Sequence, residues 1–572
     1  MLLVFLTFLA ALVSIILYSR LHSALRLRLP LPPGPKGLPI VGNVFDLPPA
    51  GIIEYEHWLK HKDAYGPISS ISILGTTLVI LHSYEAQQEL LVKKSSKTTA
   101  RPTFCFSRMC GLGNLTPITT SGPVLRHHRK LMHQQLGTRV LAERFSDTQD
   151  AETKRFLLRA LDNPEGLMKH IKTWVNTHSN QRQKERGLFS RLNCIGHSPL
   201  HPFRHSQASA IILKIVYGYS IEPHQADPLV TLVERTMIIF SKTVLPFAWA
   251  VDMVPQLRHL PSWLPGVSFH NRAHQWKSIA DRMIDVPYNF VRQQMSSGSF
   301  TPSFVSQNLE ASGEKVGEER ILSEKEETAL KNSAATLFGG GADTIVSSLR
   351  SMLLALILYP EVQRRAQQEL DEVVGGDRLP EFQDRDHLPY INALVKETYR
   401  WMPVVPIGTT HVTEEEMAIA GYRIPKGAFL LPSIWWFTHD PEKYANPAVF
   451  DPDRFLAPRN EGPDPKDHVF GYGRRRCPGR YLADDTLFLT ISRIIATMNV
   501  TAELDEQGRP IDLKKKASPG LMSRPEPFSY RITPRTVKHA ELIRAAAINH
   551  PWESSDSVHL VDVEGGLGSF QE

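Results

Sequence analysis

The segment Phe470-Gly-Tyr-Gly-Arg-Arg-Arg-Cys477-Pro-Gly-Arg480 places one cysteine in a loop that is rich in arginine and glycine. Cations close to a thiol favour the thiolate, which is the form of cysteine that binds metals. Gly473 and Gly479, on either side of the cysteine, let the backbone approach the sulfur where a side chain would collide. The segment therefore predicts a thiolate site. The alternative is a basic surface turn that happens to contain a cysteine.

The fixed positions of this segment follow the pattern F-x-x-G-x-R-x-C-x-G at Phe470, Gly473, Arg475, Cys477 and Gly479. They resemble the haem-binding loop of the cytochrome P450 superfamily, and the chain is similar to fungal microsomal members of the O-methylsterigmatocystin oxidoreductase type. The resemblance implies that Cys477 is the axial ligand of the iron of haem b, where a thiolate favours O–O cleavage. It also implies that Arg475 binds a haem propionate and that the phenylalanine and glycines shape the cofactor site.

Two further motifs precede the cysteine segment. Glu397-Thr-Tyr-Arg400 places opposite charges on one helix face at i,i+3, and Pro447-Ala-Val-Phe-Asp-Pro-Asp-Arg454-Phe455 follows it. Alone, the first motif is equally well explained by a surface ion pair. The family resemblance implies that Glu397, Arg400 and Arg454 form a buried charge network behind the haem, with a structural and not a catalytic role.

The segment Gly340-Gly-Ala-Asp343-Thr344, with Gly339 before it, contains three successive glycines in a predicted helix. Each glycine weakens a helix by about 1 kcal/mol relative to alanine, so we expect a kink or a widened turn. The segment resembles the oxygen-binding motif of the same family. That resemblance implies that Thr344 donates a hydrogen bond at the oxygen site and that Asp343 relays protons. The alternative is a glycine-rich helix packed closely against a neighbour.

The segment Ser121-Gly-Pro-Val-Leu125-Arg-His-His-Arg129 resembles the family pattern G-x-x-W-R-x-x-R, with leucine in place of tryptophan. The resemblance implies that Arg129 binds a haem propionate and that His411 supplies a further propionate contact. Leucine has no N–H to donate. One propionate contact is therefore lost or replaced at Leu125.

The helical pattern is strongest from Glu324 to Tyr359, where Ser323 and Glu326 form a capping-box signature and Pro360 ends the run. Further helices are predicted at 390–402 and from the cysteine segment to residue 498, and short strands within 71–81. The fold class is therefore mainly α with small β-sheets. By resemblance it is the cytochrome P450 fold, with haem between the long central helix and the cysteine loop.

The 572 residues are 42% hydrophobic and 22% charged, with a net charge of +6, as in an ordinary globular protein. No arginine-rich tract or aromatic-interleaved basic stripe is present, so nucleic acid is not the predicted partner. This mildly positive net charge favours docking to an acidic protein or to a membrane surface. Four scattered cysteines, without C-x-x-C or H-E-x-x-H, predict neither a disulfide framework nor a zinc site, and favour a reducing compartment.

Residues 2–18 are uncharged and almost wholly apolar, and Arg20, Arg26 and Arg28 follow them. Apolar length and flanking charge predict a transmembrane signal-anchor at 1–19 with the main body in the cytosol. A cleaved signal peptide is the alternative.

The rest of the chain divides by composition. A basic, proline-rich linker at 20–43 precedes the haem-thiolate domain at 44–546, and an acidic tail at 547–572 is predicted to be disordered. The polar run at 173–203 has no helical or strand period, and a long structureless stretch inside a compact domain is uncommon. It is interpreted as an insertion, with translated intron sequence as its hypothetical origin.

The family resemblance implies an NADPH- and O2-dependent monooxygenase of the endoplasmic reticulum membrane, single-pass, with its catalytic domain facing the cytosol. Its implied partners are NADPH–cytochrome P450 reductase, with cytochrome b5 as a further electron donor, and a lipophilic substrate such as a terpenoid or polyketide of fungal secondary metabolism. The substrate pocket is expected among 103–120, 240–269, 404–409 and the helix near Phe338 and Ala342. Two alternatives remain: a reductase-independent haem-thiolate isomerase or peroxygenase, and an inactive haem-binding product.

Overall fold

The computed structural model describes residues 29–49, 51–164, 207–222, 225–264, 266–313 and 322–560. The predicted anchor at 1–19 and the predicted insertion at 173–203 lie outside the described residues. The same holds for the first part of the linker and for residues 561–572.

Helices form most of the described chain. The α-helices are α1 (Glu54–Tyr65), α2 (Tyr84–Gln87), α3 (Cys105–Met109), α4 (Pro123–Leu136), α5 (Arg139–Glu143), α6 (Ser146–Asp162), α7 (Gln207–Tyr217), α8 (Pro228–Thr243), α9 (Ala250–Met253), α10 (Phe269–Ser296), α11 (Phe304–Ala311), α12 (Glu324–Leu358), α13 (Pro360–Val373), α14 (Pro389–Trp401), α15 (Ile434–His439), α16 (Lys466–Val469), α17 (Arg480–Thr497) and α18 (Val537–Ile548). A π-helical segment, Gln88–Lys93, continues directly from α2.

The strands form three small sheets. They are β1 (Ile68–Ile73), β2 (Thr76–Leu81), β3 (His411–Val412), β4 (Met417–Ile419), β5 (Tyr422–Ile424), β6 (Phe429–Pro432), β7 (Met498–Thr501) and β8 (Arg531–Pro534). The largest sheet has the order β1-β2-β6-β3, in which β2 and β6 are parallel and the other pairs antiparallel. The prediction of a mainly α fold with small sheets is confirmed.

Helix α12 is the central element, 35 residues and about 52 Å long. It begins as predicted: the Ser323 hydroxyl accepts a hydrogen bond from the Glu326 amide, and the Glu326 carboxylate accepts one from the Ser323 amide. Its first half packs into one apolar cluster and its second half into another. The segment from Gly339 to Thr344 lies where these two clusters meet.

In the described residues, α12 is also the one helix long and apolar enough to cross a membrane. Its most apolar stretch is 72% buried inside the protein. Length and composition alone do not distinguish a membrane span from a core helix. The burial identifies α12 as the core helix of the domain.

The residues after α18 pack against α7 and the turn that follows it. The Glu553 carboxylate accepts hydrogen bonds from Lys214 (2.5 Å) and the Ser220 hydroxyl (2.8 Å). The Ser220 amide donates to the Asp556 carboxylate at 2.7 Å, and Leu560 is buried. The prediction of a disordered tail is therefore wrong for residues 547–560. Composition suggested solvation, but specific ion pairs hold this segment.

Truncation after Asn549 should lower the midpoint of thermal unfolding, because Lys214 and the Ser220 amide lose their acceptors. We expect a decrease of about 3 °C, because the lost charge-assisted hydrogen bonds contribute roughly 3 kcal/mol and 1 kcal/mol shifts the midpoint by about 1 °C in a domain of this length. Scanning calorimetry measures the shift. Truncation after Leu560 is the matched control and should leave the midpoint unchanged. Equal midpoints for the two truncations would contradict the packing role of the segment.

Candidate active site

The loop before α17 folds back on itself around Cys477. The Cys477 amide donates to the Phe470 carbonyl at 2.8 Å, and a 3₁₀ turn lies between the two residues. Burial raises the pKa of the Cys477 thiol, while a hydrogen bond from the Gly479 amide and the charges of Arg129 and Arg480 act to lower it. Since burial is the larger effect, a thiolate here needs a further cation at the sulfur. A metal ion bound to the sulfur would supply that charge.

The two glycines of the pattern, Gly473 and Gly479, have different surroundings. At Gly473, φ is +51°, and a Cβ atom would lie 2.5 Å from the Leu91 carbonyl oxygen and 2.5 Å from Ser95. The required close approach is therefore to the π-helical segment and its C-terminal turn, and not to the sulfur as the sequence suggested. A Cβ atom at Gly479 would meet nothing within 4 Å. Gly479 borders open space beside the thiol.

Arg475 points away from the cysteine loop into a neighbouring loop. Its guanidinium donates to the carbonyls of Thr99 (2.8 Å), Thr116 (3.1 Å) and Thr119 (2.6 Å). Burial, and then the charge of Arg129, lower the pKa of Arg475 to about 10. A shift of this kind shows a cation in a buried, positive environment.

A third arginine, Arg101, joins this group and was not predicted from the sequence. Its guanidinium donates to the carbonyls of Thr409 (2.9 Å) and Thr410 (2.8 Å), close to His411. Burial, and then Arg475, hold the pKa of Arg101 well below its ordinary value. The His411 ring lies 2.8 Å from the Thr98 carbonyl, and burial together with Arg101 holds its pKa low, so its side chain is neutral.

Arg101, Arg129 and Arg475 form a cation cluster that carries an excess of positive charge. Within the described chain, Glu414 is the carboxylate that acts on these three, through Arg475, and it also accepts a hydrogen bond from Ser121. Like charges buried together are costly unless a counter-ion is present. A planar group bearing two carboxylates, such as haem with its propionates, fits the cluster in charge and in donor type.

Glu397, Arg400 and Arg454 lie together, and all three are fully buried. The Glu397 carboxylate accepts two hydrogen bonds from Arg400, both of 2.7 Å, and one from Arg454 at 3.2 Å. It also accepts from the Asp451 amide at 2.8 Å. The remaining Arg400 donors reach backbone carbonyls between α15 and the segment before Arg454. The network joins α14 to the chain that leads into the cysteine loop, which is a structural role.

The three glycines of α12 face different surroundings. A Cβ atom at Gly339 would lie 2.7 Å from the Met237 sulfur, and one at Gly341 would lie 2.7 Å from Ile212. At Gly340 a Cβ atom would meet nothing within 4 Å, and the Gly340 carbonyl accepts a 2.7 Å hydrogen bond from the Thr344 hydroxyl. Two glycines thus serve close packing, and one borders an open space beside Thr344. The helix is regular here, so the expected widened turn is absent.

Asp343 turns away from that space toward the segment before β8. Its carboxylate accepts a hydrogen bond from Arg524 at 3.1 Å, and both side chains are largely buried. Phe338 also lies off the open face: it packs edge-on against Tyr217 at 5.8 Å between ring centroids. The expectation that the helix near Phe338 and Ala342 lines the substrate pocket stays a prediction.

Thr116 connects the arginine cluster to the open face of α12. Its carbonyl accepts from Arg475, and its amide donates to the Thr336 hydroxyl at 3.1 Å. Thr336 lies one turn before Gly340 and two turns before Thr344, and all three are on the same face of the helix. Hydrogen bonds therefore connect the cation cluster to the face of α12 that carries Thr344. The sequence model of the family described as Cytochrome P450 matches residues 32–532 of the chain. The chain belongs to the cytochrome P450 family.

Curated relatives support this P450 assignment along nearly the whole chain. "Cytochrome P450 monooxygenase CLM2" of Gibberella zeae is 46% identical over 92% of the chain and 93% of the relative. "Multifunctional cytochrome P450 monooxygenase af510" of Aspergillus fumigatus is 43% identical over 90% of both. "O-methylsterigmatocystin oxidoreductase" of Aspergillus flavus is 36% identical over 96% of both. The resemblance stated from the motifs is confirmed.

A buried carboxylate in this P450 joins α9 to α3, two short helices beside the apolar cluster of α12. Asp252 accepts a 2.8 Å hydrogen bond from the Phe106 amide at the start of α3. The Phe106 ring stacks on Trp249 at 3.7 Å and meets Trp276 edge-on. Burial raises the pKa of Asp252 to about 7, although backbone amides of Cys105 and Phe106 act to lower it.

Arg101→Met in the haem-loaded protein should accelerate haem loss, because one charge-assisted contact disappears from the cation cluster. Hydrogen bonds to charged groups contribute about 1.5–3 kcal/mol, which corresponds to a rate increase of roughly tenfold to hundredfold. Transfer of haem to an excess of apo-globin, followed by absorbance, measures the rate. Arg108→Met removes an exposed arginine of α3 and is the control. Equal rates for the two variants would remove Arg101 from the cofactor site.

The contribution of Asp252 to the free energy of unfolding should fall as pH rises toward neutrality, because burial disfavours the ionised carboxylate. A carboxyl group whose pKa is raised on folding contributes most below its unfolded value, near 4, and loses that contribution as pH rises through about 7. Relative to Asp252→Asn, the wild-type free energy of unfolding should fall by up to about 1.4 kcal/mol per pH unit across that window. Denaturant titrations of both proteins across the window test this. Parallel pH profiles would show that Asp252 does not titrate there.

Proposed function

We propose that this P450 is an NADPH- and O2-dependent haem-thiolate monooxygenase that hydroxylates or otherwise oxidises a lipophilic small molecule. One observation supports this proposal most strongly: Thr116 and Arg475 link three parts of the structure. These parts are the Cys477 loop, the buried cation cluster and the open face of α12 at Gly340 and Thr344. Each part alone has a structural explanation. Together they provide a ligand, a counter-charge and a reaction space for one cofactor.

A haem bound through Cys477 would supply dioxygen activation and the oxidising chemistry. The protein's own residues then hold and orient the reactants. Arg101, Arg129 and Arg475 bind the propionate edge, with Arg101 as the donor that offsets the missing indole at Leu125. The Thr344 hydroxyl gives up its bond to a backbone carbonyl and donates into the reaction space, and Asp343 passes protons to that position.

The surroundings of the open face support a lipophilic substrate. The apolar cluster that contains this stretch of α12 also includes Leu115, Ile118, Ile407 and Met522, which come from three other segments of the chain. A site lined by apolar side chains with a few polar groups favours lipophilic ligands and excludes water. We propose a terpenoid or a polyketide of fungal secondary metabolism as substrate, consistent with the fungal relatives.

Electrons are proposed to come from NADPH–cytochrome P450 reductase, with cytochrome b5 as a further donor. Exposed Arg126 and Lys130 on α4, together with Arg476 beside the thiol, offer a basic face for such acidic partners. The anchor at 1–19 would place the enzyme in the endoplasmic reticulum membrane with this face in the cytosol. The insertion at 173–203 remains a proposal; its flanking helices α6 and α7 contact directly, through Gln207 and Thr153.

The reduced, carbon-monoxide difference spectrum of the purified chain is the first test. Wild type should give the strongly red-shifted Soret band of thiolate ligation, and Cys477→Ser should lose it. Cys105→Ser, a buried cysteine of α3, is the control and should retain the band. A band that survives in Cys477→Ser would assign the ligand elsewhere. No band in the wild type would favour the inactive product.

Turnover with reductase on a terpenoid and polyketide panel then tests the reaction itself. Product that depends on NADPH and incorporates one atom from labelled dioxygen supports the monooxygenase. Product formed equally well with peroxide and without reductase, or rearrangement without oxygen incorporation, would identify the peroxygenase or isomerase alternative.

A further inference from the structure

Arg350 is a fully buried cation on α12, about two helical turns beyond Asp343. One of its terminal nitrogens, Nη2, donates to the Pro525 carbonyl at 2.8 Å. In the described part of the chain, no acceptor lies within hydrogen-bond distance of its Nε and Nη1. A buried donor without an acceptor costs about 1–3 kcal/mol, so such groups are usually satisfied by internal water. The guanidinium therefore offers two donor nitrogens to water.

Arg524 brings a second cation to the same place. It binds the Asp343 carboxylate and lies next to Pro525, the residue that binds Arg350. Burial, and then the charge of Arg524, lower the pKa of Arg350 to about 10, and Asp343 acts in the opposite direction. Arg524 thus binds the Asp343 carboxylate directly, and Arg350 lies within its electrostatic reach. The Arg524 side chain is 14% exposed, so the edge of this group reaches solvent.

The face of α12 between Asp343 and Arg350 is polar although it is buried. The Ser347 hydroxyl donates to the Asp343 carbonyl at 3.0 Å, and the Ser351 hydroxyl donates to the Ser347 carbonyl at 3.0 Å. Residues at i, i+4 and i+8 lie on one side of a helix, and each of these hydroxyls keeps acceptor capacity. An internal helix normally presents apolar side chains on such a face. This polar stripe is therefore suited to ordered water.

We propose that the pocket formed by Arg350, Arg524 and the Asp343 carboxylate binds ordered water and is the route by which protons reach Asp343. Arginine keeps its proton in proteins, so Arg350 and Arg524 are positioning residues. They orient the water, and the water transfers the proton. An O–H bond of water breaks as the Oδ–H bond of Asp343 forms, and the next water, ultimately solvent, restores the proton. The proposal rests on the role of Asp343 proposed above.

The variants Arg350→Met and Arg524→Gln test the route. Each is assayed with reductase, NADPH and the best substrate from the panel, and three quantities are measured: product formed per NADPH, the solvent isotope effect in D2O, and the thermal midpoint. We expect product per NADPH to fall at least threefold and the isotope effect to rise. The midpoint of Arg350→Met should change little, because the variant removes a charge with two unsatisfied donors.

Arg493→Met is the matched control on α17. Arg493 is also fully buried, but its guanidinium donates to the Pro380 carbonyl (2.9 Å) and the Asp150 carbonyl (3.0 Å) and pairs with the Asp150 carboxylate. Its loss should lower the thermal midpoint and leave product per NADPH and the isotope effect unchanged. A purely structural Arg350 would behave as this control does.

The variant Asp343→Asn distinguishes a failure of the water route from a failure of the role proposed for Asp343. If it lowers product per NADPH while Arg350→Met and Arg524→Gln match wild type, the water route is wrong and the role of Asp343 stands. If all three match wild type, the role of Asp343 fails and the route fails with it. A crystal structure of the haem-loaded wild type gives a measurement independent of turnover. Ordered water within about 3.2 Å of Arg350 Nε is the expected result, and a dry pocket would overturn the proposal.

Discussion

The need to balance buried positive charge governs the architecture around Cys477. Three guanidinium groups converge from the loop after the π-helical segment, from α4 and from the cysteine loop, and the described protein supplies one carboxylate among them. Their hydrogen bonds to backbone carbonyls fix their directions but do not neutralise them. The cofactor is therefore part of the electrostatics of the fold. A ligand that binds the folded state and supplies this charge stabilises the chain by mass action.

The buried network of Glu397, Arg400 and Arg454 balances its charge in a different way. Here the protein supplies two carboxylates for two arginines. Glu397 pairs with both Arg400 and Arg454, and Glu461 also pairs with Arg454 at 2.9 Å. The donors of Arg400 have partners among carboxylate and carbonyl oxygens. The Glu397 network is thus neutralised by carboxylates of the protein, whereas the cation cluster of Arg101, Arg129 and Arg475 retains an excess of positive charge. That difference separates a structural network from a binding site.

Local signals explain why much of the fold was predictable. The Ser323 capping box, Pro360 at the start of α13 and Gly375 after its end act through neighbouring atoms, and so they can be recognised in the sequence. The motif residues around Cys477 are similarly recognisable as a short pattern. The family followed from these residues.

Long-range contacts explain what was missed. Arg101 belongs to no local pattern, and its importance depends on Arg475, which is remote in sequence. The tail contacts of Glu553 with Lys214 depend equally on distant partners, while its composition suggested solvation. The reason for Gly473 was also wrong, because the nearby Leu91 carbonyl belongs to a segment far away in the chain.

The packing of Gly339 and Gly341 has a mechanical consequence for catalysis. Because these residues seat α12 against Met237 and Ile212, they fix the rotation of the helix about its axis. That rotation determines the direction in which the Thr344 hydroxyl can point. A methyl group added at Gly341 would press on the branched side chain of Ile212, and one at Gly339 on the flexible end of Met237, so either the helix or its neighbour must shift. On the role proposed for Thr344, residues on the opposite side of the helix can therefore alter the reaction without facing the open space at Gly340.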